Sequence, residues 1–250
     1  MRRLIMDKRQ QYDKIYEENE KLISSYYFQE TKYSIDNSIW YKTSPKVWVP
    51  NENEFTIKVV NSGCVDEALK FPTATILNFA SAKHPGGGYI RGAIAQEEDI
   101  CRCSNLYNVL KEFDEHYSTC PASNLYNDNM IYSKDILFFR DGQKNLMTSR
   151  KFDVITAAMP KNTIEGNLSL VDLKAAYDRR IFKMLKIAET HKTENLILGA
   201  WGCGVFNNDP ETISKMFKYY LTTHNWNFKN VVFAVLDKHP NKLYNIFKER

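Results

Sequence analysis

Two apolar, β-branched runs, Thr73 to Phe79 (TATILNF) and Leu196 to Ala200 (LILGA), each pass straight into a loop that carries glycine. The first loop reads His84-Pro85-Gly86-Gly87-Gly88; the second runs from Gly199 through Gly202 and Gly204 to Asp209-Pro210. A segment with a helix-like start follows each. A strand that ends in bare backbone and leads into a helix is the unit from which mostly parallel sheets, covered on both faces, are built. In such sheets ligands bind beyond the carboxyl ends of the strands. The two loops thus predict both an α/β fold and the place to look for its site.

The rest of the chain fits that alternation. Helices are predicted over Asp7 to Leu22, Val65 to Phe71, a stretch with Ile100, Cys103, Leu106, Tyr107 and Leu110 on one face, Asp172 to His191, Pro210 to Leu221, and from Lys242 onward. Strands are predicted at Phe55 to Asn61, Met130 to Tyr132, Ile136 to Arg140, Phe152 to Ala157 and Val231 to Leu236. Tyr26 to Pro50 is aromatic and polar without a clear period. Short strands on the surface are expected there, with Ser25 to Trp48 packing over one sheet edge. No repeat or linker divides the 250 residues, so residues 1–250 read as a single domain whose first fifty or so form an N-terminal helical extension.

Composition narrows the class. Hydrophobic content of 43% and charged content of 26% suit a soluble globular chain. No apolar run reaches the roughly 20 residues of a membrane span, and MRRLIMDKRQQYDK does not read as a secretory signal. Five cysteines at irregular spacing argue for reduced thiols in a reducing, cytoplasmic compartment. Cys101 and Cys103 form CxC without a second pair, and Asp153 and Asp172 have no partner spacing, so no metal and no cofactor is expected. The net charge of +4 is scattered among acids. It fits an anionic substrate and does not mark a sequence-specific nucleic-acid surface.

Exposed amides in the two loops would cradle a phosphate or diphosphate from both sides, although GGG alone could be a flexible turn. Neither a Walker A loop nor a GxGxxG fingerprint is present. Glu97 and Glu98 open the helix after the first loop. Acids in a first helical turn are ordinary, but beside a diphosphate they should be unfavourable unless one binds sugar hydroxyls and the other moves a proton. Adjacent helical side chains diverge by about 100°, which gives the two separate roles.

Asn78-Phe79-Ala80-Ser81, then Pro85 to Gly88, then Gln96-Glu97-Glu98 resembles the signature of poly(ADP-ribose) glycohydrolases, and the flanking sequence resembles their bacterial or microbial branch. The likeness extends through Asn105-Leu106-Tyr107, Met130 to Ser133, Phe139-Arg140-Asp141 and Gly202 to Pro210. It implies a macrodomain-like three-layer α/β/α fold with a mixed, mostly parallel sheet. It implies Glu98 as the catalytic acid and Glu97 on the hydroxyls of the distal ribose. Gly86, Gly87 and Gly88 would line one side of the diphosphate, and Gly202, Cys203 and Gly204 the other. Val205 and Phe206 would pack on the distal ribose, while Asn78, Ser81 and Gln96 would complete the substrate-binding set. The implied partner is poly(ADP-ribose) or an ADP-ribosylated macromolecule, cut mainly at chain ends to release ADP-ribose. A mono-ADP-ribosyl hydrolase and a non-catalytic ADP-ribose reader are the alternatives.

One departure concerns the segment after Val59-Val60-Asn61, where this branch often carries Asp-Thr and this chain has Gly63-Cys64; adenine contacts stay open. His84 reads as a surface loop residue, with phosphate contact as the alternative; His191, His224 and His239 read as solvated positions, and Trp201 as packing, with adenine or ribose contact as the alternative.

Overall fold

The computed structural model describes residues 2–46, 54–163, 168–237 and 242–249. Seven strands form one sheet in the order β1-β4-β5-β3-β6-β7-β2. They are β1 (Ile39–Tyr41), β2 (Thr56–Val60), β3 (Thr75–Phe79), β4 (Met130–Arg140), β5 (Leu146–Ala157), β6 (Asn195–Leu198) and β7 (Asn230–Ala234). From β5 through β3, β6 and β7 to β2 every pairing is parallel; β4 joins β5, and β1 joins β4, antiparallel. The sheet is therefore mostly parallel, as the alternating pattern predicts, and mixed, as the resemblance implies.

Each central strand is apolar on both faces, with side chains sorted by the period of two. Leu77, Ile155, Leu196, Leu198, Val231 and Phe233 enter one core layer. Helices α7 (Leu170–Thr190), α8 (Pro210–Thr223) and α9 (Lys242–Lys248) cover that layer. Ile76, Val154, Ile197 and Val232 enter the opposite layer, under α3 (Cys64–Ala68), α4 (Gln96–Cys103) and α5 (Leu106–Leu110). Among the described residues the remaining α-helices are α1 (Arg2–Ser25), α2 (Phe28–Asp36) and α6 (Asp114–Ser118), and Tyr89–Arg91 forms a 3-10 turn. Among the described residues no helix is long and apolar enough to cross a membrane.

Four expectations need correction. Residues 26–46 hold α2 and only the three-residue β1, not a set of surface strands; Trp48 and Pro50 lie outside the described residues. The buried face of α2 is polar, which removes the apolar period that would mark a helix. Its Ser34 Oγ donates to the Asp135 carbonyl at 2.9 Å, and Thr31 Oγ1 accepts from Asn105 Nδ2 at 2.9 Å. The stretch from Ile100 to Leu110 is two helices, α4 and α5. Asn105 interrupts it by pairing with β4: its amide donates to the Leu137 carbonyl, and its Oδ1 accepts from Leu137 N–H at 2.9 Å. The runs at 130–132 and 136–140 are one strand with a bulge, where Asp135 sits at φ +51°. His191 is not simply solvated. Its ring stacks on Tyr132 at 3.4 Å and bonds the Tyr41 hydroxyl at 2.9 Å, and burial pushes its pKa down to about 4. His224 is exposed as expected, and His239 lies outside the described residues.

Candidate active site

A cleft of about 480 Å³ opens at the carboxyl ends of the parallel strands, a size common for small-molecule sites. Every parallel strand contributes to its wall: Ser62, Gly63 and Cys64 follow β2; Phe79, Ala80 and Ser81 belong to β3 and its exit; Met159 follows β5; Ala200 to Gly202 follow β6; Ala234 to Leu236 close β7.

Gln96 fastens the start of α4 to the end of β3. Its Oε1 accepts from Phe79 N–H at 2.8 Å, and its Nε2 donates to the Leu77 carbonyl at 2.7 Å. The side chain thus continues the ladder at the strand's end, and the next two residues fall on the cleft. Glu97 is 2% exposed. Its Oε2 accepts from Ser81 N–H at 2.7 Å and its Oε1 from Asn78 Nδ2 at 3.3 Å. Burial pushes its pKa up to about 8, helped by the neighbouring Glu98 charge and opposed by those donors. Glu98 is also buried on the wall. Its Oε1 accepts from Gly88 N–H at 2.8 Å, whereas its Oε2 has no hydrogen-bond partner among the described residues.

The glycine loop is wrapped around these carboxylates. Gly86 and Gly87 take φ of +64° and +60°, the left-handed region that glycine enters without penalty. The Gly87 amide closes a turn on the His84 carbonyl at 3.0 Å and the Gly88 amide holds Glu98, while the Gly86 amide favours the charged form of Glu97. Two of the three bare amides, those of Gly87 and Gly88, are taken within the protein. The first loop therefore offers the Gly88 amide to a ligand only by giving up Glu98, and of the three glycines only Gly87 reaches the cleft wall. Ser81 Oγ steadies the turn by accepting from His84 N–H at 3.1 Å.

The second loop is built the other way. Its shape is set by Asn208, buried, whose Nδ2 donates to the carbonyls of Pro160 (2.9 Å) and Gly202 (3.0 Å) and whose Oδ1 accepts from the Tyr177 hydroxyl at 2.6 Å. Asp209 then caps α8, accepting from Thr212 N–H at 2.9 Å, with Pro210 at the first helical position. Among the described residues the amides of Gly202, Gly204, Val205 and Phe206 have no protein acceptor, and all four residues line the cleft. Cys203 points behind the loop, its thiol pushed up to about 12 by burial. Trp201 is fully buried, its Nε1 donating to the Ala157 carbonyl at 3.1 Å. Packing, as expected, is its task.

Residues 8–141 match the family model of the microbial-type poly(ADP-ribose) glycohydrolase (PARG) catalytic domain. The chain belongs to that family. Among solved structures, it is 26% identical to the poly(ADP-ribose) glycohydrolase of Thermomonospora curvata, with a TM-score of 0.86 over 96% of this chain and 99% of that one. The same enzyme bound to the inhibitor ADP-HPD gives 0.84 at 26% identity, over 97% and 100%. The Deinococcus radiodurans glycohydrolase in complex with ADP-ribose gives 0.79 at 29% identity, over 88% and 95%. No curated protein matches the sequence.

Within this family member, the expected site residues divide into two groups. Ser81, Gly87, Gln96, Glu97, Glu98, Gly202, Gly204, Val205 and Phe206 line the cleft; Asn78, Gly86, Gly88 and Cys203 stand behind it. Gly63 and Cys64, the departure from the PARG pattern, lie on the wall too, and burial pushes the Cys64 thiol up, so it is no nucleophile near neutrality. Among the described residues no group of three or more His, Cys, Asp or Glu could hold a metal ion.

Sequence reasoning missed Asn19. This α1 side chain is fully buried. Its Nδ2 donates to the Tyr89 hydroxyl (3.1 Å) and the Arg102 carbonyl (3.0 Å), and its Oδ1 accepts from Arg140 Nε at 2.9 Å. One residue thereby ties the end of the glycine loop, α4 and β4 together. An isolated Asn in a charged helix gives no local signal of that task.

Proposed function

We propose that the protein hydrolyses the ribose–ribose O-glycosidic bond of poly(ADP-ribose) and releases ADP-ribose, mainly from chain ends, with residues 1–250 acting as one catalytic domain. The carrying observation is Glu98, a residue of the cleft wall: one carboxylate oxygen is fixed by Gly88 N–H, and the other is buried without a hydrogen-bond partner among the described residues. That suits a general acid, held in place by one oxygen while the other is not committed to any protein donor. Protonated, it gives its proton to the departing 2′-oxygen as the anomeric carbon gains oxocarbenium character; as carboxylate, it then stabilises that cation and activates water.

The unfilled amides of Gly202, Gly204, Val205 and Phe206 suit the diphosphate, as successive N–H groups in a turn suit an anion. Phe206 would pack on the distal ribose. Glu97, both oxygens already held, braces the loop and meets a ribose hydroxyl only through its remaining lone pairs. The cleft's size suits one ADP-ribose unit, which favours a chain end over a chain threaded through. All five cysteines are free thiols, which suits a reducing compartment, the cytoplasm.

Incubation with poly(ADP-ribose), followed by chromatography of the products, tests this reading. Released ADP-ribose supports it. An intact polymer beside hydrolysis of a singly modified protein would move the activity to mono-ADP-ribose, and binding without any product would leave a reader.

A further inference from the structure

We propose that Tyr126 and Lys83 form an outer subsite, just beyond the glutamates, which holds the adenosine of the polymer unit that leaves. The inference rests on the glycohydrolase reading above and extends it to the other side of the scissile bond.

Phe206 stands on the cleft wall, and the Tyr126 ring lies against it, outside that wall, with centroids 6.2 Å apart and planes tilted by 53°. Lys83 Nζ sits 5.9 Å from the Tyr126 ring centroid, and the side chain is exposed. Lys83 also follows Ser81, whose N–H holds Glu97, by two residues. Ring and cation therefore link the rims of the two loops beside the carboxylate pair.

Tyr126 occupies φ +57°. A bulky residue rarely adopts that conformation, and such backbone persists only where its surroundings over-determine it, often at functional sites. The surroundings here do so. The buried Arg180 of α7 donates through Nη2 to the Leu125 carbonyl at 2.5 Å and through Nε to Asp128 Oδ1 at 2.8 Å, and Lys183 Nζ donates to the Asp128 carbonyl at 2.7 Å. Two buried cations thus hold the short segment that presents the ring. Glycine or asparagine would relieve the backbone, yet a half-buried aromatic face is kept at the rim.

An aromatic face beside an exposed ammonium, which donates to the Ala122 carbonyl at 3.4 Å, matches a purine joined to a phosphate, through stacking and charge. In the polymer, the oxygen that Glu98 protonates is the 2′-oxygen of an adenosine, so its purine and 5′-phosphate emerge at this rim.

The test compares two substrates that share the ADP-ribose half: poly(ADP-ribose), and an aryl 1″-O-glycoside of ADP-ribose, whose leaving group has neither base nor phosphate. Tyr126→Asn, which tolerates the positive φ, and Lys83→Ala should each lower kcat/KM on the polymer by about tenfold, in the range of one base–aromatic stack, and leave the aryl substrate unaffected; Tyr126→Phe should keep both rates. Wild-type rates on the polymer, or parallel losses on both substrates, overturn the subsite while the glycohydrolase reading stands. A wild-type protein that releases no ADP-ribose from polymer overturns both. Lys83→Ala, on an exposed side chain, decides the matter should Tyr126→Asn lower the Tm.

Discussion

A β-carbon placed on Gly87 would stand 2.5 Å from Glu98 Oε1 and 2.8 Å from Glu97 Oε2. The loop and the glutamate pair are folded around one another, and the glycine leaves room for the carboxylates before it leaves room for any ligand. Gly87→Ala adds that clash to a left-handed φ of +60°. It should lower the Tm and cut turnover by about 10²-fold, the effect of shifting a reacting group by roughly an ångström, with a smaller loss of ADP-ribose affinity. Were Gly87 to line the diphosphate, as the family resemblance implies, crowding would instead fall mainly on ADP-ribose affinity; calorimetry beside kinetics tells the two apart.

Glu98→Gln keeps an oxygen for Gly88 N–H and removes the transferable proton. Turnover should fall by about 10²–10⁴-fold, the usual worth of a positioned general acid, with ADP-ribose affinity and Tm close to wild type. A variant that retains a tenth or more of the wild-type rate would exclude Glu98 from proton transfer.

What the sequence discloses and what it hides differ for a physical reason. Strand, glycine, carboxylate and cap are local patterns, so β3, the glycine loop, Glu97-Glu98 and Asp209-Pro210 were readable in place. The destination of an amide is not local. Nothing within HPGGG reveals that the Gly88 N–H turns back to residue 98, or that the second loop leaves its own unfilled. Asn19 binds partners 70, 83 and 121 residues away, and α2 buries Thr31 and Ser34 where a periodicity argument looks for apolar side chains.

The Glu97 carboxyl titrates near pH 8 because it is buried beside Glu98. Its folded-state value is raised above the ordinary 4.5, so the folded protein holds the proton more tightly than the unfolded chain. The stability this contributes is complete below pH 4.5, declines above it, and is gone once the pH passes about 8. Glu97→Gln cannot ionise, and its amide can donate to Asn78 Oδ1, which lacks a partner among the described residues. The variant should therefore gain Tm relative to wild type as the pH rises through that window. Parallel Tm–pH curves for the two proteins would rule out a buried, neutral Glu97.

Asn19→Ala strands the Arg102 carbonyl, the Tyr89 hydroxyl and Arg140 Nε at once. Leaving buried polar groups unpaired costs about 1–3 kcal/mol each before relaxation, so urea titration should show a loss of about 2–4 kcal/mol, within the range for breaking a buried network. Because Tyr89 directly follows Gly88, the surviving folded protein should also turn over more slowly. A loss below about 0.5 kcal/mol, the size of an ordinary surface change, would show that α1 does not hold the glycine loop.

Gly202 and Gly204 make a paired test of the second loop. Gly202 has φ +79°, and a β-carbon there would come within 2.5 Å of Asn208 Nδ2 and 2.7 Å of Met159 Cβ, whereas one at Gly204 meets no atom within 4 Å. Gly202→Ala should lower the Tm by distorting the loop. Gly204→Ala should leave the Tm unchanged, since the added methyl enters open space on the cleft wall. Any affinity that Gly204→Ala loses for ADP-ribose must then come from contact with the ligand, and a several-fold rise in Kd at constant Tm would mark the path of the diphosphate over residue 204. Full affinity in Gly204→Ala would carry the diphosphate away from these amides.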